Sequence, residues 1–324
     1  MIDTLRVYES DGLDPYRNLA IEQHLLETVL GGCCLLYLWS NERTVVIGRN
    51  QNAWAECRTS LLLSDGGTLA RRLSGGGAVY HDKNNLNFTF LMREEDYDLD
   101  RQLAVIQTAC RSLGVETERS GRNDLLACGR KFSGNAFYHH DGRAYHHGTL
   151  LVDTDGEAMR RYLSPSKAKL QAKGVESVRA RVVNLRALNP LITVDGLKAA
   201  MKTAFCEVYG LPVSDPPAID EARVRELSAH YASDAWLYGL RLPFTFRCES
   251  RFAWGGLELQ LSVDRGVVTG ARVYTDDMDP ETAPRLERAL FGCRFSLAAL
   301  SARIEALSLP HARDLIQMLT EQEI

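Results

Sequence analysis

Three consecutive glycines, Gly75-Gly76-Gly77, stand between Arg71-Arg72-Leu73-Ser74 and the run Ala78-Val79-Tyr80-His81-Asp82. A helix interior does not carry such a triplet, because each glycine gives up more backbone entropy on ordering than any other residue. The segment is therefore a turn or loop leading into a strand. Without Cβ atoms, successive N–H groups can line a concavity that accepts phosphate or carboxylate oxygens, and the adjacent arginines supply charge. On the glycines alone, a flexible turn between strands is an equally good reading.

The surrounding segments set the fold class. Leu5 to Tyr8 reads as a strand, and Asn18 to Leu30 carries Leu19, Glu22, Leu25, Leu26 and Val29 at helical spacing. Leu35 to Trp39, Thr44 to Ile47, Thr68 to Arg72, Ala78 to His81 and Leu86 to Leu91 are short, β-rich and punctuated by Gly, Asn and Asp. A helix is expected over Leu99 to Leu113, then strands over Asp124 to Cys128, Phe132 to His139 and Ala144 to Val152, the last two flanking the hairpin signal Asp141-Gly142. Helices of Val194 to Tyr209 and Glu221 to Tyr231 follow. After a composition break near Leu242-Pro243 come a hairpin around Asp264-Arg265-Gly266 and three helical stretches. The expected architecture is α+β: a large domain of mixed β-sheets with flanking helices over residues 1–242, and a small α+β accessory domain over 248–324.

Composition narrows the function. With 324 residues, 45% hydrophobic and 25% charged, the chain is an ordinary folded one. A formal net charge of −4 argues against nucleic acid as a partner, which needs concentrated basic surface. Asp3, Arg6 and Glu9 break up any signal-peptide core, and no apolar stretch reaches membrane-spanning length. A cytoplasmic protein without a membrane partner is expected. The eight cysteines show neither a Cys-x-x-Cys pair nor zinc spacing and read as packed thiols.

Two further stretches carry chemistry. In Gly121 to Ala136 (GRNDLLACGRKFSGNA), Lys131 follows a tight turn and its ammonium can project into a pocket; a solvated lysine at a strand start is the plainer alternative. In Tyr145 to Asp153 (YHHGTLLVD), adjacent histidines on a strand point to opposite faces and cannot share one metal, so no tightly bound metal is expected. His147 is the one expected to face a pocket.

Together these stretches closely resemble the lipoate–protein ligases of the biotin/lipoate protein ligase superfamily. The family pattern of two arginines, serine, triple glycine and an Ala-Val-x-His-Asp strand stands here as Arg71 to Asp82. The Gly-Arg-Asn-Asp-Leu run matches at 121–125, the lysine with Ser-Gly-x-Ala at 131–136, and His-His-Gly-Thr-Leu-Leu at 146–151. Asn18-Leu19-Ala20, Arg49 to Cys57, Lys173 to Leu185 and Arg251 to Glu258 extend the likeness over nearly the whole chain. One departure is Asn84-Asn85 where the family commonly has Gly-Asn, a change that asparagine's tolerance of left-handed backbone makes acceptable.

The resemblance implies the biotin/lipoate protein ligase catalytic fold and a two-step, ATP-dependent activity. Lipoate becomes lipoyl-AMP with release of pyrophosphate, and the lipoyl group then passes to a carrier lysine. The acceptors it implies are the lipoyl domains of 2-oxoacid dehydrogenase complexes and the glycine-cleavage H protein. Carried over by position, Arg72, Gly77, Ala78, Val79, Tyr80, Asn123, Asp124 and Lys173 are expected at ATP or the adenylate. Ser74, Gly75, Gly76 and His147 are expected at lipoate, and Lys131 at both, as the catalytic cation. The Lys173 region is expected to be a loop that orders over the adenylate. Mg²⁺ is expected with ATP, held by Asp124. Val79, Leu73 and Leu86 are candidate walls for the lipoyl chain and equally good candidates for the core; an apolar slot would gain about 3 kcal/mol of grip from the chain's roughly four methylenes. The alternative is a lipoyl or octanoyl transferase using a preactivated donor; a thioester route would need a nucleophilic cysteine, and Cys128, read as a buried strand residue, is the one near the motifs.

Overall fold

The structure is a computed structural model that describes residues 1–120, 124–164, 182–239 and 242–322. Its strands are β1 (Thr4–Glu9), β2 (Cys33–Trp39), β3 (Thr44–Ile47), β4 (Thr68–Arg71), β5 (Val79–His81), β6 (Asn85–Arg93), β7 (Glu118–Ser120), β8 (Asp124–Ala127), β9 (Arg130–His140), β10 (Arg143–Leu151), β11 (Phe246–Arg251), β12 (Gly256–Asp264) and β13 (Val267–Thr275). They form a seven-stranded sheet ordered β1-β2-β6-β10-β9-β8-β7 and three-stranded sheets ordered β4-β3-β5 and β11-β12-β13. β1 pairs with β2, and β3 with β4, in parallel, whereas β2, β6, β10 and β9 are mutually antiparallel, so the architecture is the mixed α+β one expected.

Alternation along the central strands separates two cores. Leu36, Leu38, Phe88, Phe90 and Met92 face the helices Leu99–Ser112 and Val194–Tyr209. Leu35, Tyr37, Trp39, Leu91 and Tyr145 face the helices Pro15–Thr28 and Glu221–Ala232. Register sets transverse rows on this second face: Trp39, Asn87, Thr149 and then, one strand on, the edge at Gly134; beside it Tyr37, Thr89, His147 and Ala136. Three polar side chains at buried positions of two central strands mark the place where the face stops being core. The small β4-β3-β5 sheet lies over it, and a cavity opens between.

Local signals explain the boundaries. Pro15 opens the first helix, its missing N–H costing nothing at that position, and Asp14 caps it by accepting from the Tyr16 N–H at 2.9 Å. Thr193 caps the helix Val194–Tyr209 and Gly210 ends it in left-handed backbone. Asp141-Gly142, Arg265-Gly266 and Cys128-Gly129 each take two consecutive positive φ angles, the two-residue hairpin turn that matches strand twist. Asn84 is not among the described non-glycine residues with positive φ, so asparagine there needs no left-handed tolerance.

Residues from Phe246 onward enclose a core of their own, built from β11–β13 and the helices Thr282–Leu290, Leu297–Ala306 and Ala312–Thr320. This C-terminal unit docks through backbone: the Thr275 N–H donates to Asn50 O at 2.9 Å, and the Gly76 N–H to Asp277 O at 3.0 Å. No helix of the described residues is long and apolar enough to cross a membrane.

Candidate active site

The glycine loop is framed by its two arginines, which leave β4 in opposite directions. Arg71 donates to the carbonyls of Arg49, Gln51 and Trp236 at 2.7–2.9 Å, tying the 48–51 segment to the helix Asp234–Tyr238. Arg72 turns back on its own loop, donating to Ser74 Oγ at 3.0 Å, Gly75 O at 2.7 Å, Gly77 O at 2.8 Å and Val46 O at 3.2 Å. Burial draws both guanidinium pKa values down to about 10, which leaves them charged at neutral pH.

The glycines are required by backbone contacts. A Cβ on Gly48 would stand 2.2 Å from Gly76 O, and one on Gly75 would stand 2.1 Å from Asp277 O. The oxygen on the Gly76 N–H is thus a carbonyl of the C-terminal unit. Gly75→Ala is therefore expected to prise the C-terminal unit off the loop, raising the radius of gyration of the ligand-free protein in solution X-ray scattering while circular dichroism stays unchanged. An unaltered radius would mean that the loop alone absorbs the clash.

Below the loop lies a cavity of about 330 Å³. Gly76, Gly77, Ala78, Val79 and Arg72 form one wall; Trp39, Asn87, His147 and Thr149 of the large sheet form the other. Leu19 and Val46 also line it, and the C-terminal unit contributes Arg251 and Asp276, an ion pair at 3.0 Å. Of the expected lipoyl-chain walls, Val79 lines the cavity, Leu73 packs on the adjoining core and Leu86 lies inside the other core. Tyr80 does not line it: alternation along β5 turns its ring away to lie tilted against Tyr162, centroids 5.8 Å apart. Ser74 and Gly75 also stand off the lining.

Lys131 and Asp124 meet at the more open part of the cavity, Nζ to Oδ1 at 2.6 Å, with both side chains 36% exposed. Gly134 makes this placement possible. A Cβ there would stand 3.0 Å from the lysine Nζ, so the bare backbone of β9 lets the ammonium lie across it. Asn123 and Lys173 lie outside the described residues, as does the expected adenylate loop from Lys173 to Arg181.

The two histidines part as alternation requires. His146 enters the core, its ring within 5.9 Å of those of Phe88, Phe90 and Phe137, with Nδ1 at 3.0 Å from Gln102 Oε1 and Nε2 at 2.8 Å from Asn135 Oδ1. His147 lines the cavity in a buried chain: Nδ1 to Glu22 Oε1 at 2.8 Å and Nε2 to Ser74 Oγ at 2.8 Å. Thr89 Oγ1 donates to the same Glu22 oxygen at 2.7 Å and accepts from Trp39 Nε1 at 3.2 Å. These are the spacings of a serine–histidine–carboxylate triad, but Ser74 is fully buried and accepts from Arg72, so the chain fixes the orientation of His147 and presents no nucleophile. Glu22, Thr89 and Asn87 escaped the sequence reading; the signal available was the polar alternation Asn85, Asn87, Thr89 within an otherwise apolar strand.

Cys128 corrects another expectation. It is exposed, because the β8–β9 connection closes as a Cys-Gly hairpin turn and Cys128 is its first turn residue. Cys33 and Cys34, Cys57 and Cys110 are buried.

Residues 14–206 match the lipoyl protein ligase A/B catalytic domain, and residues 242–323 match the bacterial lipoate protein ligase C-terminus. Fold and sequence together define a lipoate-protein ligase or transferase. The chain belongs to the lipoyl protein ligase A/B family. It is similar to P. falciparum LipL1, solved in complex with lipoate, at 26% identity over 98% of this chain and 99% of that one, with a TM-score of 0.86. A bi-partite lipoate protein ligase from Thermoplasma acidophilum, described with its E2 lipoyl domain, is 26% identical over 76% of this chain and 100% of that one, at a TM-score of 0.64. A lipoate-protein ligase A bound with ATP shares the fold at a TM-score of 0.63 and 24% identity, covering 74% of this chain and 100% of that one.

Proposed function

We propose that this protein activates lipoate with ATP and transfers the lipoyl group to a lysine of a lipoyl carrier domain. The observation that carries the reading is the Lys131–Asp124 pair at the open part of a cavity whose buried end is lined by Trp39, Leu19 and Val46. An acid with an apolar tail fits that gradient, its carboxylate at the lysine and its tail inward. The structure of a similar protein with lipoate supports the choice of acid.

In the first step a lipoate carboxylate oxygen bonds to the α-phosphorus of ATP and the bond to pyrophosphate breaks. Lys131 stabilises the charge that spreads over the phosphoryl oxygens. Asp124 holds the ammonium in place. Arg72 serves this step as the frame of the loop, since its N–H groups are engaged with Gly75 and Gly77; a phosphate contact requires the loop to release them. Asp124 is the carboxylate that would hold a Mg²⁺ arriving on the phosphates. Such an ion would neutralise the departing pyrophosphate.

In the second step the amine of the carrier lysine attacks the acyl carbon and AMP leaves. Lys131 then faces the developing oxyanion and disfavours a protonated incoming amine. Lipoyl domains of 2-oxoacid dehydrogenases and the glycine-cleavage H protein are the acceptors of this reading, and residues 1–242 and 248–324 its catalytic and accessory domains. Lipoate-dependent exchange of labelled pyrophosphate into ATP tests it. Exchange supports the ligase; transfer from a preformed donor without any exchange replaces it with the transferase.

A further inference from the structure

Two buried side chains that line the cavity each carry an N–H group without a partner among the described residues. His81 is 4% exposed and Asn87 is 1% exposed, and both line it. The hydrogen of His81 can be placed from the network behind it. Asn18 Nδ2 donates to the carbonyls of Gly12 at 3.1 Å and Ser40 at 2.8 Å, which orients its amide, and the same nitrogen donates to Asn41 Oδ1 at 3.0 Å. Asn41 Nδ2 is thereby turned to His81 Nδ1, 3.2 Å away, which must accept. Burial, with Arg72 and His147 nearby, holds the ring neutral, its pKa drawn down to about 3. Its single hydrogen therefore sits on Nε2, which has no hydrogen-bond partner among the described residues. Asn87 Oδ1 accepts from Asn85 Nδ2 at 2.8 Å, and its own Nδ2 is likewise unpartnered.

Both donors adjoin Trp39. The His81 ring stands edge-on to the indole at 6.0 Å between centroids, and Asn87 is the register partner of Trp39 across β2 and β6. Asn87 also lies two strands from Gly134, over which the Lys131 ammonium rests, so about 10 Å of sheet separates Asn87 from the backbone beneath the cation. That is the reach of a carboxylate joined through four methylenes to a small ring. Buried donors are rarely left unmade, and the apolar walls beside these two suit an acceptor that is itself weakly hydrated.

We propose that His81 Nε2–H and Asn87 Nδ2–H form a sulfur-recognising subsite, donating to the ring sulfurs of the lipoyl group and selecting the dithiolane over an alkyl tail. The inference rests on the lipoate reading of the cavity. Sulfur meets the requirements of the site: it accepts hydrogen bonds weakly, is polarisable and enters an apolar pocket readily.

The decisive comparison is calorimetric binding, to the intact protein without ATP, of lipoate and of pentanoate bearing a terminal cyclopentyl ring, its all-carbon counterpart. Lipoate is expected to bind about tenfold more tightly. In Asn87→Leu and in His81→Phe the ratio is expected to fall toward one. Equal affinity of the unaltered protein for the two acids overturns the subsite with no variant needed, and a ratio retained in both variants overturns it as well. Should neither acid bind, the lipoate reading itself fails, an outcome distinct from equal binding.

Discussion

Lys131→Ala is expected to lower lipoate-dependent pyrophosphate exchange by a factor on the order of 10² to 10³, the usual cost of removing a preorganised charge from a developing phosphoryl anion. Thermal stability should barely change. Both side chains of the Lys131–Asp124 pair are 36% exposed, so the carboxylate left behind keeps access to water even though its Oδ1 is itself buried. Lys131→Arg should rescue only in part, because a broad planar fork does not replace a compact ammonium lying close over the Gly134 backbone. Near-normal exchange in the alanine variant would reduce Lys131 to a solvated surface charge; loss of folding would make it structural.

Acidification from pH 7 to pH 5 is expected to remove on the order of 4 kcal/mol of folding stability, with His81 and His146 as the main proton sinks. Burial holds both folded-state pKa values near 3, well below the ordinary 6.5, and neighbouring positive charge adds to the effect. The unfolded chain thus takes up protons first as pH falls below about 6.5, and stability drains away until the folded-state values are reached. Each ring contributes roughly 2 kcal/mol over those two pH units. The carboxyls of Asp82 and Glu287, pushed up by burial, work in the opposite sense. Urea unfolding at the two pH values measures the loss. His146→Gln, which can still hydrogen-bond but cannot titrate, should lose about half as much as the parent; an identical loss would put the sink elsewhere.

What could be read in advance divides along the range of the interactions involved. The helix Val194–Tyr209 was legible to the residue because its cap, its apolar spacing and its terminal glycine are all local. The Asp141-Gly142 hairpin and the opposed histidines follow from turn chemistry and strand period alone. Apolar spacing alone starts the first helix at Asn18, three residues after Pro15, because the pattern begins only after the proline that opens the helix. Lys131 could be singled out from Gly129 and Gly134 around it, but its partner Asp124 depends on a bulged register between β8 and β9. Nothing near the triple glycine indicates that Asp277, some two hundred residues away, supplies the oxygen at Gly76. Glu22 is likewise one helical residue among several until the sheet places Thr89 and His147 against it.

His146 and His147 also bear on how variation in this chain can be interpreted. Adding or deleting one residue just before them would exchange a ring built into the core for one built into the cavity wall, although the local spelling would still read His-His. Two relatives compared with a one-position slip would still set histidine against histidine at one position, while matching each role to its opposite. Adjacent identical letters are a safe landmark in this strand only when the apolar residues beside them, Tyr145 on one face and Ala144 on the other, fall into step as well.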